Sequence, residues 1–370
     1  MLLDRVDAHR IAIIKPSALG DIVHSLPVLT ALRVRFPAAH ITWVVNRSCE
    51  SLLTGHPDLT DTLPFDRAAL KGVRALATVW KFAGELRRKR FDLVIDMQGL
   101  LRSGIMARLT GAPIRVGFSN AREGSRFAYT HTLNSPALTA AHAVDRMWTV
   151  AEAFGVGDLK KVFRVPLQPA EVEAGRDALA ALPRPVIAVA VGAKWVTKRW
   201  PAAHFAELLN RMHARTGGSA VFVGSNEDSA LSREVRATLR GPAIDLTGQT
   251  TLPRLSAVLS LADVMLGNDT GPLHLAAALG RPCVAPYTCT KVARHGPYTQ
   301  AANCVETAVS CGGSYLKKCS NMICMPDLTP DRLWPKLAET LDAWQHRHHL
   351  TSQPVAAPTP LHGCSTSRSA

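Results

Sequence analysis

Aromatic residues are scarce, with Trp, Tyr and Phe making up 6% of the 370 residues. Binding of single-stranded nucleic acid relies on aromatics interleaved with basic side chains, and neither that pattern nor an Arg-Gly repeat nor a zinc-finger spacing occurs. No nucleic acid partner is expected. No apolar run approaches the roughly eighteen residues that span a bilayer. The first apolar stretch, Ile11–Ile14, follows a charged start and is too short for a secretory signal. The chain therefore reads as cytoplasmic. Also missing are a complete G-x-G-x-x-G fingerprint and a G-x-x-x-x-G-K-S/T loop, which weakens the dinucleotide-dehydrogenase and P-loop readings. The eight cysteines do not form a secreted disulfide framework. Cys304, Cys311, Cys319 and Cys324 cluster without C-x-x-C pairs, so structural thiols or a local disulfide are expected ahead of a metal site.

What is abundant is positive charge. The 43 Lys and Arg against 29 Asp and Glu give a formal net charge of +14. Acidic partners such as phosphorylated sugars or anionic lipid headgroups fit this balance, and peripheral association with an anionic membrane surface is one expectation. The densest basic run, Arg87–Arg90, reads as a solvated helix end, where cations suit the helix dipole.

The chain is long enough for two domains with separate cores. In the first half, expected strands at 11–15, 41–45, 92–96 and 114–118 alternate with helical stretches, among them 100–109 and 142–154. Gly, Pro and charge then interrupt the pattern, with one helical piece near 170–181. A second series places strands at 186–191, 220–224, 244–246, 264–267 and 283–286, with helices between them and a closing helix at 331–345. Strand–helix alternation implies parallel sheets covered on both faces. The expected organisation is a first domain over 1–160, a linker over 161–185, a second domain over 186–348 and a disordered tail over 349–370. Trp80, Trp148 and Trp334 are expected in the core or in domain packing.

Two strand-to-helix turns carry the chemistry. In the second half, Asn268-Asp269-Thr270-Gly271-Pro272-Leu273-His274 follows a short apolar strand and opens a helix at once. The first amides of a helix lack intrahelical partners and sit at its positive end, so they suit an anion such as a phosphate. An ordinary capped turn is the competing reading. In the first half, Gly20 permits a sharp turn after the first strand and Asp21 stands at a helix start. Asp21 reads equally as an N-cap, worth about 1 kcal/mol, or as a carboxylate at a cleft that accepts a proton from a substrate hydroxyl. Pro27 is expected to break this helix and start a new one.

The stretch Lys15-Pro16-Ser17-Ala18-Leu19-Gly20-Asp21-Ile22-Val23-His24-Ser25-Leu26-Pro27 resembles the opening motif of glycosyltransferase family 9, the lipopolysaccharide heptosyltransferases. The resemblance continues in Asp92–Leu100, Gly117–Glu123, His142–Arg146, Lys198–Pro201 and Asn268–His274, covering roughly residues 10–345. It implies an α/β GT-B fold, in which two Rossmann-like doubly wound domains face an interdomain cleft. It also implies an inverting, metal-independent transfer of heptose from ADP-heptose to the Kdo or heptose inner core of lipopolysaccharide, on the cytoplasmic face of the inner membrane. No cofactor is required, and the chain has no Asp-x-Asp pair of the metal-dependent kind.

By motif match the resemblance implies Asp21 as general base. It implies Lys198, Thr270 and Gly271 on the donor diphosphate, Asp269 on sugar hydroxyls, and Lys194 and His274 as further donor-side candidates. The acceptor candidates are Lys15, Ser17, Gly20, Gln98, Arg102, Arg122, Arg126 and His142, meeting Kdo carboxylate and lipid A phosphates. Asp96 is read as orienting its loop and Arg146 as structural. The Cys311-x7-Cys319-x4-Cys324 pattern is similar to heptosyltransferase II-like members, whereas Ala121–Glu123 and His142–Arg146 are closer to the heptosyltransferase I side. Thr288-Cys289-Thr290-Lys291 departs from the Gly-Pro-Thr-Asp run common at that place. The alternatives are a transferase for another nucleotide sugar or glycan, a GT-B sugar-nucleotide epimerase or hydrolase, and a non-catalytic anion-binding protein.

Overall fold

The computed structural model describes residues 3–66 and 75–352. The first sheet comprises β1 (Arg10–Ile14), β2 (His40–Asn46), β3 (Asp61–Phe65), β4 (Leu93–Asp96), β5 (Ile114–Phe118) and β6 (His131–Leu133). The second comprises β7 (Val186–Ala190), β8 (Ser219–Phe222), β9 (Ala243–Asp245), β10 (Val264–Gly267), β11 (Cys283–Tyr287) and β12 (Cys304–Glu306). The strand orders are β3-β2-β1-β4-β5-β6 and β12-β11-β10-β7-β8-β9, so the two sheets repeat one topology. Neighbouring strands are parallel throughout. Central strands such as Val186–Ala190 are apolar along their whole length because helices cover both faces of the sheet. In each sheet the order reverses beside the first strand, between β1 and β4 and between β7 and β10. Ligands of doubly wound sheets bind at that point, outside the carboxyl ends of the strands.

β3, β6 and β12 were not expected from sequence, and all three lie at sheet edges. β3 carries Pro64, and β6 and β12 have three residues each, which leaves little apolar pattern to read. The expected break at Pro27 does not occur. Leu19–Arg35 is one continuous helix with Pro27 inside it. Residues Ile22–Leu32 are all buried, and packing on every side outweighs the roughly 3 kcal/mol that an interior proline costs.

The Leu19–Arg35 helix packs against both the Ala143–Ala153 helix of its own half and the Gly271–Ala278 helix of the other. One apolar cluster consequently contains Ile22 and Val23 together with Leu273 and Leu275. The helix Pro169–Leu179 packs on Leu252–Leu261, where Glu171 pairs with Arg254. Leu333, Leu337 and Leu341 of the closing helix Pro330–Ser352 enter the second core. The expected tail lies outside the described residues from 353 onward. Trp148 is buried and Trp334 packs on the second core, but Trp80, expected inside, is 67% exposed.

Candidate functional site

At the carboxyl ends of β7 and β10 the loops are tied to each other. Asn268 is buried, donates to Val191 O at 2.7 Å and accepts from the Trp200 amide at 3.1 Å. The loop 191–200 is thereby held against the Asn268–Thr270 turn, with Arg199 closing it onto Ala193 O at 2.8 Å. Together with the segment after β8, residues 250–255, and Leu19, Ser48 and Ser51 from the first half, these loops line a cavity of about 870 Å³. Lys194, Lys198, Asp269, Thr270 and Gly271 all line it. This volume is in the range of ordinary ligand pockets.

Thr270 is the N-cap residue of the Gly271–Ala278 helix, but its side chain makes no cap hydrogen bond. Its Oγ1 is buried without a partner among the described residues. A buried hydroxyl left unpaired costs free energy that a ligand oxygen would recover. Beside it the first amides of the helix are also without intrahelical partners. Both are anion-binding groups.

Asp269 is the hub behind this turn. Its Oδ2 accepts from Lys198 Nζ at 2.6 Å and Thr290 Oγ1 at 2.7 Å, and its Oδ1 lies 3.1 Å from His274 Nε2. Burial alone would raise its pKa, but the His274 hydrogen bond and then the Lys198 charge hold it well below the usual carboxylate range. Asp269 also lines the cavity, and three of its acceptor sites are used by contacts within the protein. Lys198 is placed by Asp269 and by the Trp195 ring, whose centroid lies 4.8 Å from Nζ. His274 is buried, with Nε2 on Asp269, Nδ1 unpartnered among the described residues, and its ring 4.4 Å from that of His24. It braces the turn from the domain junction and is absent from the cavity lining.

Asp21 is the third residue of its helix, not the N-cap, and it is exposed. Its Oδ2 accepts from the Ala18 amide at 3.2 Å, so the carboxylate steadies the turn while remaining exposed; it is not among the residues lining the cavity. Gly20 and Ser17 flank it, both half-buried.

The acceptor-side residues divide. Lys15 is buried and donates to Met97 O at 3.0 Å, joining the loops after β1 and β4. His142 caps the Ala143–Ala153 helix: Nδ1 accepts from the Val144 amide at 3.1 Å, so Nε2 donates to Gly296 O at 2.8 Å. Both ring nitrogens are engaged, and His142 is a tether between the halves instead of an acceptor contact. Gln98 remains open to a ligand, with Oε1 buried and unpartnered among the described residues. Asp96 orients that loop by accepting the amides of Gln98 and Gly99 at 2.8 and 3.1 Å, and burial raises its pKa. Arg122 and Arg126 are exposed nearby, and Arg102 lies 5.9 Å from the Phe65 ring centroid.

Cys304, Cys311, Cys319 and Cys324 are free thiols, and no group of three or more ligating side chains is arranged for a metal among the described residues. Of the two expected alternatives, structural thiols or a local disulfide, these four are thiols in the structure. Burial, then the Asp269 charge, pushes the Cys304 thiol up to about 12.

Sequence reasoning missed Thr290, which lies in the loop that departs from the resemblance, and the cation–π partner Trp195. It also missed Glu227, which follows β8 and lines the cavity. A carboxylate after the second strand of a doubly wound sheet is where a ribose hydroxyl is bound, a signal that could have found it. Arg146, read as structural, has a buried Nε without a partner among the described residues.

Comparison with known proteins bears on this site. Residues 79–323 match the model of glycosyltransferase family 9 (heptosyltransferase). The chain is 30% identical over 332 residues to lipopolysaccharide heptosyltransferase 1 of Pseudomonas aeruginosa, covering 84% of this chain and 87% of the relative. The crystal structure of the glycosyl transferase family 9 protein from Veillonella parvula superposes with a TM-score of 0.82 at 24% identity, covering 92% and 99% of the two chains. The E. coli heptosyltransferase WaaC with ADP-2-deoxy-2-fluoro heptose gives a TM-score of 0.69 at 23% identity, covering 89% and 99%. The two six-stranded sheets form the GT-B architecture of these enzymes.

Proposed function

Because the chain belongs to glycosyltransferase family 9, we propose that it moves a heptose from ADP-heptose to the inner core of lipopolysaccharide. One observation carries this reading. The cavity at the switch point of the second sheet presents an unpaired Thr270 hydroxyl, a helix N-terminus and Lys198 together. Those groups fit a diphosphate. Support for the sugar and the acceptor comes from the heptose analogue named with the E. coli structure and from the lipopolysaccharide named with the P. aeruginosa relative.

In this proposal residues 186–348 hold the donor and residues 1–160 the acceptor, joined by 161–185. Thr270, the first helix amides and Lys198 bind the diphosphate, with Lys194 at the cavity wall and Glu227 on the ribose. As the bond to the anomeric carbon breaks, negative charge grows on the diphosphate, and these fixed groups stabilise it without a catalytic metal. Asp269 keeps Lys198 aimed at that place. Asp21 takes the proton from the acceptor hydroxyl as it attacks from the opposite side, which inverts the anomeric configuration. General-base assistance of this kind contributes ~10²–10⁴ in rate. Gln98, Arg102 and Arg122 orient the anionic acceptor.

The acceptor is a lipid, and the surface suits one. Val79, Trp80, Leu101, Ile105 and Phe127 are exposed apolar side chains of the first half. Val79, Leu101 and Ile105 line an apolar groove of about 380 Å³, with Arg102 and Glu123 in its wall. With the net charge of +14, this face fits peripheral association with the cytoplasmic surface of the inner membrane.

The test is ADP release from ADP-heptose with and without a delipidated Kdo-bearing core, for the wild type and Asp21→Asn. Acceptor-dependent release that collapses in the variant, with ADP affinity kept, is expected. Release that ignores the acceptor would identify a hydrolase or epimerase instead.

A further inference from the structure

His24 stands one helical turn after Asp21 on the Leu19–Arg35 helix and is buried at the junction of the two halves. Its ring meets His274 of the second half edge-on at 4.4 Å and His142 of the first half at 5.5 Å. His142 in turn bonds to Gly296 O at 2.8 Å, and its ring lies 5.1 Å from that of Tyr298. Gly20 also abuts the His274 ring. The imidazole that bonds to Asp269 is therefore clamped by the helix that carries Asp21. A chain of contacts runs from His24 through His274 and Asp269 to Lys198, linking the helix of the base candidate to the donor cation.

This joint is polar and incompletely paired. His24 Nε2 and His274 Nδ1 are buried without partners among the described residues. Beside them lies a cavity of about 140 Å³, with Lys161, Phe163 and Tyr298 in its wall and room for several waters. Apolar rings would fill the same space without leaving nitrogens unpaired. The carboxylates around His24 are engaged elsewhere. Asp269 is taken by Lys198, Thr290 and His274, and Asp145 by Lys161 and Tyr298 at 2.6 and 2.8 Å. Asp21 is exposed and bonds to the Ala18 amide. The other neighbours are cations or imidazoles: His274 and His142 in contact, His295 beyond them, and Arg146, Arg294 and Lys198 around His295. Burial, then the charges of His274 and His142, holds the His24 pKa well below the usual 6.5, against opposition from Asp269.

We propose that neutral His24 is a positioning residue: it locks the two halves so that Asp21 faces the donor turn, and a proton on it releases the lock. The inference rests on the transferase reading for what the lock aligns, and goes beyond it. With the halves parted, the imidazole is hydrated and titrates near 6.5. With them together, the proton has no counter-charge in contact and sits among like charges. The parted form therefore takes up the proton first as pH falls, and the closed form loses ground. One imidazole multiplies the parted-to-closed ratio by about ten at pH 5.5, one unit below its free value.

The experiment compares the wild type with His24→Phe and His24→Gln, neither of which takes up a proton, between about pH 7.5 and 5.5. The first readout needs no substrate. Diethyl pyrocarbonate reaches the buried His274 only when the joint parts. Its rate there, read by peptide mass spectrometry and divided by that on free histidine at the same pH, follows the parted fraction. Between the two pH values that rate is expected to rise about tenfold more in the wild type than in either variant. Equal rises overturn the lock. The second readout is the KM for ADP-heptose with a delipidated Kdo-bearing core. Acid should raise it by up to about tenfold more in the wild type, while kcat changes alike in all three proteins, because saturating donor holds the halves together. Equal KM changes overturn the coupling to the donor turn even where the labelling differs. A His24 that only fills space would move neither comparison. If the wild type shows no transfer, the transferase reading fails and the labelling still decides the lock. A melting transition at pH 7.5 checks folding, and where Phe overpacks the joint, His24→Gln carries the comparison.

Discussion

Gly20 and His274 meet across the junction of the two halves with no space between them: a Cβ on Gly20 would stand 2.8 Å from His274 Cδ2. The relation is reciprocal, since a Cβ on Gly271 would stand 2.8 Å from Leu19 Cδ2. Two helix N-termini are thus brought together, and each glycine makes room for a side chain of the other half. The base candidate follows Gly20 directly, and the diphosphate turn surrounds Gly271.

Gly20→Ala should therefore push His274 off Asp269 and loosen the donor turn. Overpacking of this kind costs about 1–3 kcal/mol. We expect a lower Tm and weaker ADP binding, read by calorimetry. Unchanged ADP affinity would show that the His274–Asp269 contact does not govern the donor turn.

Lys198→Met leaves the Asp269 carboxylate buried without its cation, although Thr290 and His274 still bond to it. Breaking a buried pair from one side typically costs about 3 kcal/mol or more. A loss of stability and of ADP affinity together is expected, measured by urea unfolding and titration. Intact ADP binding would remove Lys198 from the donor site.

Asp269 also predicts an acid response. Its folded-state pKa is depressed, so the unfolded chain binds the proton first as pH falls. The stability it contributes is complete above the unfolded value of about 4 and is lost progressively below it. Asp269→Asn should be less stable at pH 7 and should lose less further stability between pH 4 and 2. Parallel curves for variant and wild type would contradict this.

The histidines act in a higher window. Burial, and then the neighbouring imidazoles His274 and His142, lowers the pKa of His24, while burial lowers that of His142. Burial lowers His295 to about 4 against some opposition from Asp269. Each is neutral when folded, so the unfolded state gains protons first once the pH drops below about 6.5. Stability should fall from that point towards pH 4, and His295→Gln should flatten part of the slope in denaturant midpoints. An unaltered slope would place the effect elsewhere.

Trp80 and Ile105 are exposed on the first half and lie outside the proposed substrate contacts. Replacing both with serine should reduce co-sedimentation with vesicles containing anionic lipid several-fold, because about 25 cal/mol per Å² of inserted apolar area is lost. Turnover on a delipidated acceptor should not change. Equal vesicle binding by variant and wild type would exclude this face.

Much of this was legible before folding. The central strands β1, β2, β4, β7 and β10 are dense β-branched or aliphatic runs, and their periodicity identifies them locally. The turns that follow β1 and β10 carry Gly20, Asp21, Thr270 and Gly271, whose residue types suit a cleft and an anion site but equally suit ordinary capped turns, and the family resemblance was needed to prefer the first reading. Of the four edge strands, β3, β6 and β12 were hidden and β9 was expected, because a strand with one neighbour needs little apolar pattern. Pro27 misled for a related reason: its local cost is constant, but burial of the helix on all sides outweighs it.

What the amino-acid sequence determined by itself is therefore the repeated α/β plan, the family and the two turns, since each depends on patterns within a few residues. Only the tertiary structure decided which polar groups remain available. Lys15 and His142 are bonded within the protein, whereas Thr270, Gln98, Arg146 and Arg294 keep buried polar atoms unpaired among the described residues. Hydrogen-bond capacity is settled by partners distant in sequence, and those partners meet only when the two sheets bring their switch points together.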